Sequence, residues 1–568
     1  MTMGIKNTRH GSTPGFARSV LAVAACGAIA LGLAGCGGGD GDNDSAAAVG
    51  VNDAALKFDA TKYTTINVTI DGTKVPVRWY PEVCYVAKPT EMAATQTSLG
   101  QTIAISNTKC GYQSMNIFVP ESVASDQKTA LYFAVNNGGW MSSYVKASVK
   151  DGATFDSSAS NVGAALKAGY VYIDVATRSR NVVGADGKYP GKSPSVVVDA
   201  KAAVRYLRLN DSLMPGSARR IVVNGTSGGG GLSSILGSSG NSADYNSYLA
   251  EAGAAGIDAS GKSTLADDVL AINAYCPITD LGNADILYEW MFNVLGTRAT
   301  VSQNPNPTGS AELMAKFADY QKSLNLKTSA GAALTADNML DEVKAEVTRS
   351  AEIYMASGKT IPNLGEVMTY TSQGQTGQYT NDWLTVDNAA GKVLSLDMAK
   401  YLKFVVTQAK LKNAPSFDQS GMAITASSGE SSLFGTAAQV YSNFTDYGWT
   451  HNDTAGDGTG MDDTRQTWAQ FLSASTLVST QLKLVNPMNY IGSASKTAPY
   501  WYVRHGSRDR DTAFVVSVNL ARALKADAEV SDLNYRLAWD QPHAGNYDVP
   551  EAMAWIAKTL KDADAKGL

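Results

Sequence analysis

Between residues 62 and 285 the chain alternates two kinds of apolar spacing. In short runs, every position or every second position is apolar, which fits a strand buried on one or both faces. In longer stretches, apolar residues recur every three to four positions, which fits a helix packed on one side. YTTINVTIDGTKVPVRWY (63–80) alternates with period two and is interrupted by Asp71-Gly72, so it predicts a β-hairpin. SMNIFVP, TALYFAVNN, AGYVYIDVA, RRIVVNG and DDVLAINAYC predict further strands. Helices are expected near 158–167, over VVVDAKAAVRYLRLN with Arg205 and Arg208 on its polar side, and from GGLSSILGSSG. Strands alternating with helices predict an α/β fold whose mostly parallel sheet is covered on both faces.

The rhythm breaks near residue 285. For roughly 200 residues, AELMAKFADYQKSLNL, NMLDEVKAEVTRSAEIYMAS and LSLDMAKYLKFVVTQAKL predict amphipathic helices separated by polar loops. Strand and helix patterns return with APYWYVRHG, AFVVSVNLARALKA, LNYRLAWD and PEAMAWIAKTLKDA. The expected organisation is a core at 61–285, a mainly helical lid insertion at 286–485 and the remainder of the core at 486–568. No internal repeat is evident.

The first 35 residues read as addressing information. Lys6, Arg9 and Arg18 precede the apolar stretch SVLAVAACGAIALGLAG, which is short for a membrane span. It ends in Leu33-Ala34-Gly35-Cys36, which resembles the lipobox of bacterial lipoproteins and makes Cys36 the candidate lipidation site. Residues 36–60 then read as a flexible polar tether. An ordinary cleaved signal is the alternative, and both imply export. By analogy with lipoproteins, Gly37 favours outer-membrane sorting, so contact with a membrane is expected through the lipid anchor only.

Composition adds mostly exclusions. With 44% hydrophobic and 17% charged residues the chain is globular in character, and a net charge of −5 offers no basic face for nucleic acid. Of five cysteines, Cys84 and Cys110 flank neighbouring strand-like segments and form the candidate disulfide pair. Cys276 follows an apolar run and reads as buried and unpaired; spacing alone does not decide the connectivity. No cysteine has zinc-ligand spacing, and HNDTAGDGTGMDD (451–463) lacks the spacing of a calcium loop, so no metal or other cofactor is expected.

The chemistry concentrates at Gly225-Thr226-Ser227-Gly228-Gly229, a G-x-S-x-G sequence between a predicted strand and a predicted helix start. In that context a sharp turn holds the serine in a strained conformation, and the next backbone N–H can stabilise an oxyanion. A phosphate loop would need a lysine after the glycines, which is missing; a dinucleotide site would rely on Asp244 alone. A serine nucleophile needs a base. Of four histidines, His543 lies in LAWDQPHAGN, between the last predicted strand and the last helix, where a triad histidine belongs. His505 and His451 read as polar-loop or pocket-wall residues. VRHGSRDRDTAF supplies Asp509 and Asp511, either of which could orient the imidazole. Asn137-Gly138-Gly139-Trp140 offers a second oxyanion donor.

With these residues the sequence resembles the bacterial tannases, α/β-hydrolases that cleave gallate esters. The resemblance runs through YPEVCYVAKP, QSMNIFVPES, ATRSRNVVGADGKYPGKSPSVVVDAKAAVRYLRLND, NGTSGGGGLSSILGSSGNSADY, AYCPITDLGNADILYEWMF, VRHGSRDRDTAF and DQPHAGNYD. It implies an α/β-hydrolase fold with Ser227 as nucleophile, Asp509 as triad acid and His543 as base. Gly228 and Gly139 would form the oxyanion hole, and Asp511 would bind a phenolic hydroxyl. In SGESSLFGTAAQVYSNFTDYGW the chain departs from the family: Ser432 stands where a lid lysine is expected, and Asp446 is the candidate for the acid beside it. The function implied is hydrolysis of a small phenolic ester, gallate or related, through an acyl-enzyme. The alternatives are a feruloyl or general aryl esterase with the same triad, or a non-catalytic polyphenol- or glycan-binding lipoprotein.

Overall fold

Ten strands form one sheet that organises most of the chain. The computed structural model describes residues 49–98, 101–145, 147–300, 306–372, 375–407, 410–422, 429–453 and 459–568. The leader, Cys36 and most of the tether lie outside the described residues, as does 454–458 of the acidic loop. The strands are β1 (Thr64–Ile70), β2 (Thr73–Cys84), β3 (Ser114–Pro120), β4 (Leu131–Val135), β5 (Thr154–Phe155), β6 (Val171–Val175), β7 (Ile221–Thr226), β8 (Ala271–Tyr275), β9 (Tyr500–Gly506) and β10 (Asp532–Ala538). Their order across the sheet is β10-β9-β8-β7-β4-β6-β3-β2-β1-β5. Pairing is parallel from β10 through β6, antiparallel from β6 through β1, and parallel again at the short edge strand β5. The β1–β2 hairpin turns at Asp71-Gly72, both at positive φ, as the Asp-Gly signature predicts.

The unbroken apolar strands are explained by burial on both sides. On β4, Leu131, Phe133 and Val135 enter one core while Tyr132 and Ala134 enter the other. Each such large side chain taken from water contributes about 1.5–3 kcal/mol. The first core is closed by α2 (Ser195–Leu209) and α3 (Gly228–Ser238), the second by α1 (Asn161–Lys167) and the C-terminal helix Val549–Lys566. α1 starts at Ser160, whose side chain accepts the Gly163 N–H, an ordinary N-cap.

Among the described residues the insertion shows no separate core. Met339, Val343, Trp383 and Tyr401 join the same cluster as Leu232 and Phe133 of the sheet side. Helix Leu281–Asn293 runs across the boundary expected at 285, so the insertion grows directly out of the helix after β8. Two features differ from the sequence pattern. AELMAKFADYQKSLNL divides into helices Pro307–Ala315 and Phe317–Ser323, with a bend at Lys316 that lets Phe317 stack on Trp290 at 4.0 Å. LSLDMAKYL begins as a strand and becomes a helix at Met398, where Asp397 accepts the Lys400 N–H as a cap. The insertion thus carries two hairpins, Val367–Ser372 with Gln375–Thr380 and Leu384–Asp387 with Lys392–Leu396, besides its helices.

Arg205 corrects the amphipathic reading of α2. It is buried, and its guanidinium donates to the carbonyls of Ala255, Gly256 and Leu265 and to Asp267. Its partners lie 50 to 62 residues away along the chain, so helical periodicity does not report them. Cys84 and Cys110 are joined in a disulfide, and Cys276 is buried and free. Among the described residues no helix is long and apolar enough to cross a membrane.

Candidate active site

Ser227 sits at the turn between β7 and α3 with φ 63° and ψ −123°. A non-glycine residue holds that conformation only where its surroundings enforce it. Here they do: the Ser227 N–H donates to the Tyr275 carbonyl, and the Ser227 carbonyl accepts from Ile278 and Gly231. Gly228 explains one of the glycines that follow. A Cβ there would lie 2.1 Å from the Trp140 nitrogen and 2.5 Å from the Asn137 oxygen. The start of α3 and the 137–140 turn therefore meet at a distance that excludes any side chain. The same close packing seats Gly231 against the Ile278 carbonyl, 2.3 Å from its would-be Cβ.

His543 lies in the loop between β10 and the C-terminal helix, and Asp509 in the loop after β9. The structure brings both to Ser227. The His543 Nε2 is 2.8 Å from the Ser227 Oγ, and its Nδ1 is 2.6 Å from the Asp509 Oδ2. The other Asp509 oxygen accepts the N–H groups of Asp511, at 2.7 Å, and Thr512, at 3.1 Å. Complete burial opposes charge on Asp509, but His543 and His505 beside it prevail and hold its carboxyl well below the usual range. Burial likewise opposes protonation of His543, yet the Asp509 carboxylate prevails and raises the imidazole well above its usual value.

Sequence reasoning gave His505, His451 and Cys276 no part in the chemistry of this site. His505, read there as a polar-loop or pocket-wall residue, is instead fully buried, with Nε2 3.0 Å from the same Asp509 Oδ2 that His543 approaches. The His-x-x-x-Asp spacing at 505–509 is the signal that could have found it. His451 stacks on Tyr447 at 4.0 Å and lies 3.7 Å from Glu312, within the insertion. Cys276 packs under His543 and directs its thiol to the Ala544 carbonyl at 3.3 Å. Among the described residues, Cys276, Asp509 and His543 are the one group of acidic, histidine and cysteine side chains close enough to share a metal ion. Burial raises the thiol, with the Asp509 charge adding to it, so the protonated form is favoured and the group is a poor soft-metal site.

The 137–140 turn is braced from two sides. Gly139 has φ 58°, which glycine tolerates, and Trp140 follows at φ 57° with its ring buried. The Asn137 Nδ2 donates to the Met141 carbonyl and to the Thr177 Oγ1, both at 2.8 Å. The Arg180 Nε donates to the Gly139 carbonyl at 2.6 Å, and another nitrogen of the guanidinium donates to the Gly429 carbonyl of the insertion at 2.5 Å. The turn thus stands against the first residue of α3, whose N–H has no partner within the helix.

The expected substrate contacts are placed unevenly. Asp511 is partly exposed, two residues from Asp509, with its carboxylate 3.4 Å from Arg510. Asp446 is exposed and paired with Lys316 at 2.7 Å. It lines a groove of about 610 Å³ with Asp280, Tyr447 and Lys483, a groove to which none of Ser227, Asp509 and His543 contributes. Ser432 is buried, and its carbonyl accepts from the Lys192 Nζ at 3.0 Å. A lysine does therefore reach this segment, but from the loop before α2 rather than from the lid.

A family model, BD-FAE, matches residues 115–286. No match was found among curated proteins. Among solved structures, the tannase of Fusobacterium nucleatum is 29% identical, with a TM-score of 0.68 over 89% of this chain and 99% of its own. A tannin acyl hydrolase in complex with 3,4-dihydroxybenzoate is 28% identical, with a TM-score of 0.68 over 89% and 98%. The native tannin acyl hydrolase of Lactobacillus plantarum is 27% identical, with a TM-score of 0.67 over 89% and 99%. The fold is that of an α/β-hydrolase, and the resemblance to the tannases read from the sequence holds across most of the chain.

Proposed function

We propose that the protein is a serine carboxylic ester hydrolase acting on gallate or closely related phenolic esters. The observation that carries this reading is the relay from Ser227 through His543 to Asp509, at 2.8 and 2.6 Å, built on a serine at positive φ. The Ser227 Oγ attacks the aromatic acyl carbonyl while His543 takes its proton. The charge on Asp509 holds the imidazole in the tautomer that presents a free Nε2 to the serine. The tetrahedral oxyanion is held by the N–H groups of Gly228 and Gly139. Collapse of the intermediate expels the alcohol, which takes the proton from His543 and leaves an acyl-serine. Water, deprotonated by the same imidazole, then releases the acid and regenerates Ser227. Asp511 is the candidate to accept a hydrogen bond from a ring hydroxyl, and Asp446 is kept as a second, weaker candidate for that task.

Two relatives support the phenolic acyl group: tannin acyl hydrolases solved with 3,4-dihydroxybenzoate and with ethyl gallate. The second reading, a feruloyl or general aryl esterase, draws on the BD-FAE match and on Ser432 in place of the expected lysine. Comparing kcat/KM for methyl gallate and methyl ferulate separates the two. A fluorophosphonate probe should label the wild type and not Ser227→Ala; a chain that is not labelled would return the binding-only reading. Export and lipid anchoring through Cys36 belong to the same proposal, and Cys36→Ala should release the protein from the membrane fraction.

A further inference from the structure

The carboxylate of Asp509 is more heavily served than a triad needs. Its Oδ1 accepts two backbone N–H groups, and its Oδ2 faces two imidazoles, His543 at 2.6 Å and His505 at 3.0 Å. His505 is the penultimate residue of β9 and is fully buried, and the Phe514 ring packs against it edge-on at 5.2 Å. A second imidazole nitrogen and a carboxylate oxygen cannot sit 3.0 Å apart with lone pairs facing. The tautomer with its proton on Nε2 is the one that avoids this repulsion. Its N–H is not well aligned on the oxygen, so the contact works mainly through charge and dipole.

The other end of the ring shows how that proton is kept in place. The His505 Nδ1 is 2.7 Å from the Ser517 Oγ, and Ser517 is in turn 3.2 Å from the Tyr535 hydroxyl. The Ser517 hydroxyl has a second acceptor in the Phe514 carbonyl at 3.0 Å; when it donates to Nδ1 at the shorter 2.7 Å instead, and Tyr535 donates to Ser517, Nδ1 accepts and Nε2 carries the proton. The opposite tautomer would turn a lone pair on Asp509. Ser517 and Tyr535 are buried with His505, so water does not compete for these bonds. The other titratable or charged groups close to this relay are His543 and Cys276, which face Asp509, Tyr401 from the insertion with Arg508 beside it, and Glu346, Arg349 and Arg522 near Tyr535.

We propose that His505 is a positioning residue for the reaction: through Tyr535 and Ser517 it is held as the Nε2–H tautomer, and in that form it keeps Asp509 ionised and aimed at His543. The inference rests on the Ser227 hydrolase reading and deepens it. A histidine that merely filled the core would contribute to stability without reaching the proton equilibrium of His543.

The test compares His505→Phe and His505→Gln in the full chain with methyl gallate. Loss of the N–H makes Asp509 a stronger base, which pulls harder on the His543 proton. His505→Phe is expected to lower kcat roughly 10- to 100-fold, the range for partners that orient an active-site group, with KM within about twofold. The acid limb of its kcat/KM profile should move to higher pH. Gln retains a donor near the Nε2 position and should recover most of kcat and the original limb. An unmoved acid limb in His505→Phe, or a folded His505→Gln as impaired as His505→Phe, overturns the proposal. If His505→Phe does not fold, Ser517→Ala should move the same limb in the same direction by less, and an unmoved limb there also overturns it. The tautomer is readable without activity: the chain has four histidines, so 15N-histidine NMR resolves the ring, and an Nδ1–H form of His505 refutes the proposal. Should Ser227→Ala keep its activity, the hydrolase reading fails first, and the tautomer result still stands by itself.

Discussion

Arg180 holds the carbonyl of Gly139 at 2.6 Å while the same guanidinium reaches Gly429 in the insertion at 2.5 Å. One charged side chain thus joins the turn proposed to offer an oxyanion donor to the Gly429 segment of the insertion. A hydrogen bond from a charged donor is worth about 1.5–3 kcal/mol. It restricts a glycine that has little conformational preference of its own. Arg180→Met should therefore lower kcat about 10- to 100-fold, less than the ~10²- to 10³-fold that follows removal of an oxyanion donor itself. Steady-state kinetics on methyl gallate checks it, and a loss confined to KM would place Arg180 in substrate binding instead.

Asp509→Asn removes the charge but keeps the shape. An amide can present its NH₂ to the His543 Nδ1 and so favour the wrong tautomer. The corresponding change in a serine protease triad lowers kcat about 10⁴-fold. A drop of that order is expected here, with the acid limb of any residual activity displaced to lower pH because the raising charge is gone. Residual activity within tenfold of wild type would mean that Asp509 is not the triad acid.

The pH profile follows from the direction of the His543 shift. The base must be neutral to accept the Ser227 proton, and the Asp509 carboxylate raises its value. The rising limb of kcat/KM should therefore lie above the ~6.5 of an unperturbed histidine. The stability sign runs with it. A folded value raised above the unfolded one makes the His543⁺–Asp509⁻ contribution fully present below about pH 6.5, and it is lost as pH climbs through the folded value. The difference in Tm between wild type and His543→Gln should shrink across that interval, and a difference that grows with pH would contradict the assignment.

The Cys84–Cys110 disulfide closes a loop of 26 residues between the end of β2 and the start of β3. By chain entropy such a link stabilises the fold by about 3–4 kcal/mol. Replacing both cysteines with serine should lower Tm by several degrees and leave kcat at 25 °C nearly unchanged, because neither residue belongs to the relay. Thermal melts with and without reductant give the same comparison in the wild type.

What the chain determined by itself was local and periodic. Alternating or unbroken apolar runs named nine of the ten sheet strands, because a strand buried on both faces has no polar position to spare. The short edge strand Thr154–Phe155 lacks that signal. The glycines around Ser227 announced the turn, since only they allow α3 to press against the 137–140 segment. His543 was legible from its loop just after a predicted strand; the same reasoning left Asp509 and Asp511 open, and the resemblance to the tannases pointed to Asp509.

The tertiary structure decided the rest, because the contacts span distances no periodicity encodes. Ser227 and His543 are 316 residues apart, and Arg180 and Gly429 are 249 apart. Arg205 lies on a helix whose pattern marks it as polar, yet carbonyls of a distant loop satisfy its guanidinium in the core. Lys192 reaches Ser432 across 240 residues, so a local search for a lid lysine had no access to it. His505 is the clearest case. A histidine near a strand end carries no mark of its surroundings, and only the meeting of β9, the helix Phe514–Ala526 and the Asp509 loop places its ring between Ser517 and the Asp509 carboxylate.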